Sequence, residues 1–111
     1  MATIREARSQ YQSCIDACHD CAAKCAFCLD ACLGEAAMAR CARLCRDCEA
    51  ICQLCTRYMA AGSEFAVDLC DLCAEICDQC ADECARHEPD HCQECSEACR
   101  RCASECRAMA A

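Results

Sequence analysis

Four stretches of this chain place cysteine at steps that alternate strictly between three and four residues. The first holds Cys14, Cys18, Cys21, Cys25, Cys28 and Cys32; the second holds Cys41, Cys45, Cys48, Cys52 and Cys55. The third holds Cys70, Cys73, Cys77, Cys80 and Cys84; the fourth holds Cys92, Cys95, Cys99, Cys102 and Cys106. A strand would need steps of two. Steps of three and four keep one face of a helix continuous, so every stretch reads as a helix with cysteine at each a and d position of a heptad.

Whatever lies inside this protein is therefore mostly cysteine. Of 111 residues, 21 are cysteine, and Ile, Leu and Val together number only 11. Alanine supplies 23 of the remaining apolar residues, and there is no Trp. Leu29, Leu44, Ile51, Leu69 and Ile76 fall near the seam edges, where they would bind helix to helix. Two Gly and one Pro exclude collagen and a loop-rich knot. The net charge of −8 argues against a nucleic-acid partner. Apolar runs are too short for a membrane span. The opening MATIREARSQYQSC has charges from Arg5 onward and no apolar core, which is no secretory signal. The expected location is the cytoplasm, where thiols stay reduced. An odd cysteine count also excludes complete internal pairing.

Turn residues separate the four stretches. Thr3 with Glu6 fits a capping box, and Gly34 falls where a helix C-terminal glycine belongs. Gly62-Ser63 parts the second and third stretches, with Ser63 suited to capping the third helix. Glu88-Pro89 parts the third and fourth, with Pro89 suited to a first helical position. Helices are expected over about 4–33, 36–61, 64–86 and 89–108. Loops this short force antiparallel neighbours. The fold class is all-α: one domain over residues 1–111, an up-down-up-down antiparallel four-helix bundle with a cysteine-lined core.

Isolated cysteines pack as small hydrophobes, but Leu or Ile would fill the same seam with more buried area. Four seams in register need a chemical reason, and metal binding supplies it. Nine i,i+4 pairs can be drawn (14/18, 21/25, 28/32, 41/45, 48/52, 73/77, 80/84, 95/99 and 102/106), leaving Cys55, Cys70 and Cys92. A monovalent ion on a thiolate replaces one proton by one positive charge, so the core stays neutral as it fills. Zinc in a Cys₄ site leaves two negative charges each time. Soft thiolates favour Cu(I), or the similar Ag(I). Iron–sulfur clusters are usually wrapped by loops, which a continuous heptad does not provide. A thiolate-cluster protein holding zinc or iron–sulfur, or one transferring electrons, is the competing reading. No acid–base constellation for an enzyme projects into the seam.

Antiparallel connectivity gathers Cys32, Met38, Cys41, Cys84, His87, His91 and Cys92 at one end of the bundle. Tyr11, Cys14, Cys55, Tyr58, Met59, Phe65, Cys70, Cys106 and Met109 gather at the other. The first end has imidazole and thioether donors and few bulky groups, so it is expected to be the entrance, with Met38, His87 and His91 as ligands beside the 21 cysteines. The second, with three aromatics, is expected to be an apolar plug. Met59, four residues after Cys55, could also join an outlying Cys/Met site.

The repeated C-x-x-x-C-x-x-C arrangement, as in Cys14 to Cys32 and Cys92 to Cys106, resembles the bacterial copper storage proteins. The likeness runs from about Tyr11 to Met109. The missing export signal resembles their cytosolic branch. That resemblance implies a bundle whose core holds many Cu(I) ions, tetramers of bundles, and a reserve for copper enzymes; a copper donor or acceptor protein of unknown identity is the other partner class.

Overall fold

The structure is a computed structural model that describes residues 4–110, with side chains described over 11–109. It is all-helical among those residues. Helix α1 spans Ile4–Cys32, α2 Ala39–Ala60, α3 Ala66–Ala85 and α4 Asp90–Ala110. A single 3₁₀ turn, Ala36–Met38, leads into α2. The molecule measures 51 × 20 × 19 Å, so its cross-section is about two helix diameters of 10–12 Å. Helix α1 packs on α2 and α4, and α3 packs on the same two, which closes the expected ring.

The helix ends follow from local chemistry, with small shifts from expectation. At the end of α2, Gly62 takes φ +66°. Its amide donates to the Met59 carbonyl and the Ser63 amide donates to that of Tyr58. This is the Schellman pattern, which needs a left-handed residue and so a glycine. Gly34, at φ +84°, ends the first helical segment in the same region. Ser63 does not cap α3 itself: its Oγ accepts the Phe65 N–H at 3.1 Å, and the helix begins two residues later than expected, at Ala66. Pro89 lies just outside α4, where its carbonyl accepts the Cys92 and Gln93 amides at 3.0 and 3.2 Å. It is the capping residue rather than the first helical one. The Thr3–Glu6 capping box lies outside the described residues.

Most of the side chains between the helices are small. Ala17, Ala66, Ala74, Ala81, Ala98 and Ala103 are buried beside the cysteines, which lets the helix backbones approach closely. Ile51 is buried, and Leu29, Leu44, Leu69 and Ile76 pack against the core from its rim, as expected from the seam edges. Ser96, buried on α4, donates to the Ala81 carbonyl of α3 at 2.9 Å. Outside, Arg100 meets Asp82 and Arg107 meets Asp78, both joining α4 to α3; exposed pairs of this kind contribute at most about 1 kcal/mol.

Candidate metal centre

All 21 cysteines are buried and none forms a disulfide. The alternating heptad step explains this: each turn of each helix delivers one sulfur to the axis. Their Sγ atoms form a continuous column. Six of the nine anticipated i,i+4 pairs lie in contact at 3.8–4.0 Å: 21/25, 28/32, 73/77, 80/84, 95/99 and 102/106. Contacts between helices are mostly shorter. Cys48 meets Cys77 at 3.4 Å, Cys41 meets Cys84 at 3.5 Å, and Cys14 and Cys18 meet Cys106 and Cys102 at 3.6 Å. Even the diagonally opposed helices α2 and α4 touch, through Cys48–Cys99 and Cys52–Cys102 at 3.8 and 3.7 Å.

These contacts assemble overlapping tetrads whose sulfurs all lie within 4.8 Å of one another. Along the axis they are Cys25/Cys45/Cys80/Cys95, then Cys21/Cys25/Cys48/Cys99, then Cys21/Cys52/Cys77/Cys102, then Cys18/Cys73/Cys102/Cys106. Consecutive tetrads share Cys25, Cys21 and Cys102 in turn. A metal–thiolate bond of about 2.3 Å, as for zinc, spans sulfurs about 3.8 Å apart at a tetrahedral ion and about 4.6 Å apart at a linear one. The column therefore offers two-, three- or four-sulfur coordination after shifts of a few tenths of an ångström. Shared corners mean that neighbouring ions would be bridged by common thiolates.

The thiols of the column split: hydrogen bonds from neighbouring thiols push some down, Cys21, Cys73 and Cys80 among them, while others are held protonated. At Cys25 the hydrogen bond with Cys21, further thiol contacts and burial all push ionisation up, far beyond the usual thiol range. The same holds at Cys52, with Cys102 as the leading neighbour, and at Cys106, again with Cys102. At Cys92 burial is the main cause, followed by the nearby Cys41, and the thiol is pushed up to about 12. Burial disfavours a thiolate in this core, and hydrogen bonds from neighbouring thiols are what favour one.

At one end the column changes character. His91, in the first turn of α4, places Nδ1 at 3.3 Å from the Cys28 sulfur and 3.5 Å from that of Cys92. With Cys32 these three form a fifth ligand group. Met38 is half-buried against the core at the same end. His87 does something else: its Nε2 lies 2.8 Å from Glu83 Oε2. Glu83 is buried and also pairs with Arg40 of α2 at 3.4 Å and with Arg86 at 3.9 Å. Gln93 ties the connecting loop down by donating to the His87 carbonyl at 2.6 Å. So His91 faces sulfur, while His87 is engaged by a carboxylate brace between helices. Nor is this end free of bulk: the exposed Phe27 ring stands edge-on to His91, with centroids 6.3 Å apart.

The far end closes differently from expectation too. Tyr11, Tyr58 and Met109 pack against the core as partly buried groups, but Phe65 is exposed and plugs nothing. The side chain that seals this end is Met59, which is completely buried. Its Sδ accepts the Cys70 thiol at 3.8 Å.

Known proteins resemble this chain consistently. A model of the family described as copper storage protein matches residues 7–111. A Bacillus subtilis protein named uncharacterized cysteine-rich protein YhjQ is 45% identical over 103 residues, covering 90% of this chain and 95% of that protein. The solved structure of Cu(I)-bound copper storage protein BsCsp3 superimposes with a TM-score of 0.88 at 44% identity, covering 92% of this chain and 99% of the other. A cytosolic copper storage protein from Streptomyces lividans, solved during copper loading with five coppers, gives 0.87 at 33% identity, with 94% of each chain covered.

Proposed function

The chain belongs to the copper storage protein family, and from that premise we propose that it stores and buffers Cu(I) on the thiolates of its core, as one domain over residues 1–111. The observation that carries this reading is the unbroken column of buried, unpaired sulfurs. A catalytic or electron-transfer centre needs one or two metal sites with an approach for a reactant. This interior instead repeats the same kind of ligand group along its length, which suits a store. The bridged tetrads support monovalent ions over zinc, because each Zn²⁺ in a shared Cys₄ site would bury net negative charge beside the next. Anaerobic titration of the reduced protein with Cu(I) against a competing chelator tests the reading. The expected result is uptake on the order of one ion per cysteine, as soft thiolates favour; one or two ions per chain, or a brown protein with acid-labile sulfide, would sink it.

Entry at the His91 end follows from the donors there. His91, with Cys28, Cys32 and Cys92, is the first ligand group an incoming ion meets, and Met38 lies beside it. His87, held by Glu83, contributes mainly to the brace. His91→Ala is expected to slow the early phase of loading on the order of tenfold, equivalent to roughly 1.4 kcal/mol of lost binding at the entrance. His87→Ala should change that phase far less. Stopped-flow loading from a Cu(I)–chelator complex reads both, and equal rates for wild type and a His91→Ala/Met38→Ala double variant would remove the entrance from this end.

The proposal extends to the setting. Among the described residues no helix is long and apolar enough to cross a membrane, and a reduced-thiol store fits the cytoplasm. Exposed Phe27, Leu33, Phe65 and Leu72 supply apolar surface for association, which supports assembly of four bundles. Exchange of copper with a protein donor or acceptor would take place at the His91 end.

A further inference from the structure

We propose that Met59 is a thioether ligand for Cu(I), forming with Cys70 a terminal site at the end of the column opposite His91. This rests on the storage reading above and adds to it a donor from outside the cysteine set.

Met59 lies in the last turn of α2, and Cys70 lies in the second turn of α3. The tight turn through Gly62 brings those two helix ends together. The Met59 side chain is completely buried, and its sulfur is turned onto the Cys70 thiol at 3.8 Å. That separation falls within the 3.4–4.0 Å range of the cysteine–cysteine contacts. Cys70 in turn neighbours Cys106, Cys14 and Cys55. Met59 thus continues the sulfur column by one member.

A buried methionine can be simple filling, since its flexible chain suits irregular gaps. Filling would be served equally by presenting the terminal methyl to the core. Here the sulfur itself occupies the next position in the series. The coordination chemistry gives that position a purpose. An ion in the middle of the column finds thiolates above and below it, whereas an ion at the end finds them on one side only. Another thiolate would complete its coordination but add a buried negative charge. A thioether is soft, suits Cu(I) and is neutral. The opposite end solves the same problem with a neutral imidazole, His91 beside Cys28, Cys32 and Cys92. Each end of the column is therefore terminated by an uncharged donor.

The test uses selenium as a reporter. Protein carrying Met38→Leu and Met109→Leu is produced with selenomethionine, loaded to saturation with Cu(I), and measured by X-ray absorption at the selenium edge. The same protein carrying Met59→Leu as well is the control, so that any contribution from Met1 cancels. The expected result is a copper neighbour at bonding distance from selenium that disappears in the control. In parallel, Met59→Leu alone, a volume-conserving change, is expected to retain wild-type helical content yet bind about one Cu(I) fewer per chain against a fixed chelator concentration. A fully loaded protein whose selenium sees no copper, with an undiminished ion count in Met59→Leu, overturns the Met59 site and leaves storage standing. A wild-type protein that takes up no copper overturns both.

Discussion

Loading the core with Cu(I) is expected to raise the melting temperature of this protein by at least about 20 °C. The apo core is built from the smallest apolar side chains, and each buried cysteine or alanine removes less area from water than a Leu or Ile would. Its stability should sit toward the low end for a domain of this length, about 5 kcal/mol. A ligand present at a thousand times its dissociation constant adds about 4 kcal/mol per site when it binds only the folded state. The unfolded chain also offers 21 thiols, so only the difference in affinity counts. That difference is substantial, because the column presents its sulfurs already gathered within 4.8 Å, whereas the unfolded chain must close a loop for each pair. With about 1 kcal/mol worth roughly 4–8 °C in a domain this size, two or three preorganised sites account for the expected shift. Calorimetry of apo and loaded protein under anaerobic, reducing conditions measures it. Coincident transitions would mean that the metal sits where folding does not matter to it, on the outer surface.

Most of the architecture behind that expectation was legible in the spacing of one residue type. The alternation of three and four is a helical property, and it holds without a break from Cys14 to Cys32 and from Cys92 to Cys106. Gly34 and Gly62 marked helix ends because the left-handed backbone there excludes most other residues. The contacts between helices were not legible. Nothing in the order of residues says that Cys48 comes within 3.4 Å of Cys77, because register between helices is set by how their side chains interlock in three dimensions. Reading along single helices therefore favoured the i,i+4 pairs, although the closest pairs cross the bundle.

The two histidines near the entrance show the same limit. His87 and His91 flank one short loop, and continuing the heptads places His87, with Met38, in line with the seam; the structure reverses that preference. Helix α4 begins at Asp90, which carries His91 onto the Cys28 sulfur, while α3 ends just before His87. A signal for the difference was present: Glu83 and His87 are four apart, the spacing of a helical ion pair. It carried little weight beside the heptad. Phe27 was missed for a related reason. Its place between Cys25 and Cys28 reads as outward-facing, and it is exposed, but the neighbouring helix brings His91 up against its edge.

Uptake of Cu(I) at neutral pH is expected to release about one proton per protonated thiol engaged, and this exchange sets opposite pH responses for the empty and filled protein. Burial and thiol neighbours keep protons on Cys25, Cys52, Cys92 and Cys106 at pH 7, whereas hydrogen bonds push others, Cys21, Cys73 and Cys80 among them, toward the thiolate. Cys92 illustrates the sign: its ordinary ionisation near 9 is pushed up to about 12, chiefly by burial. Between those values the unfolded chain has given up that proton and the folded chain has not. The contribution to stability is therefore complete below about pH 9 and is lost as the pH rises toward 12. Cys25, Cys52 and Cys106, pushed up by their thiol neighbours and by burial, act in the same direction. The empty protein should accordingly lose stability in alkali. In the filled protein a cation has already taken the place of each proton, so alkali has nothing to remove; acid competes instead. Each unit of pH lowered below neutrality should weaken binding about tenfold for every ion that displaces one proton. Potentiometric titration during loading counts the protons directly, and chelator competition at several pH values measures the dependence. A proton count far below the ion count would mean that the thiolates were charged beforehand. In that case a neutral column could not be what selects a monovalent cation.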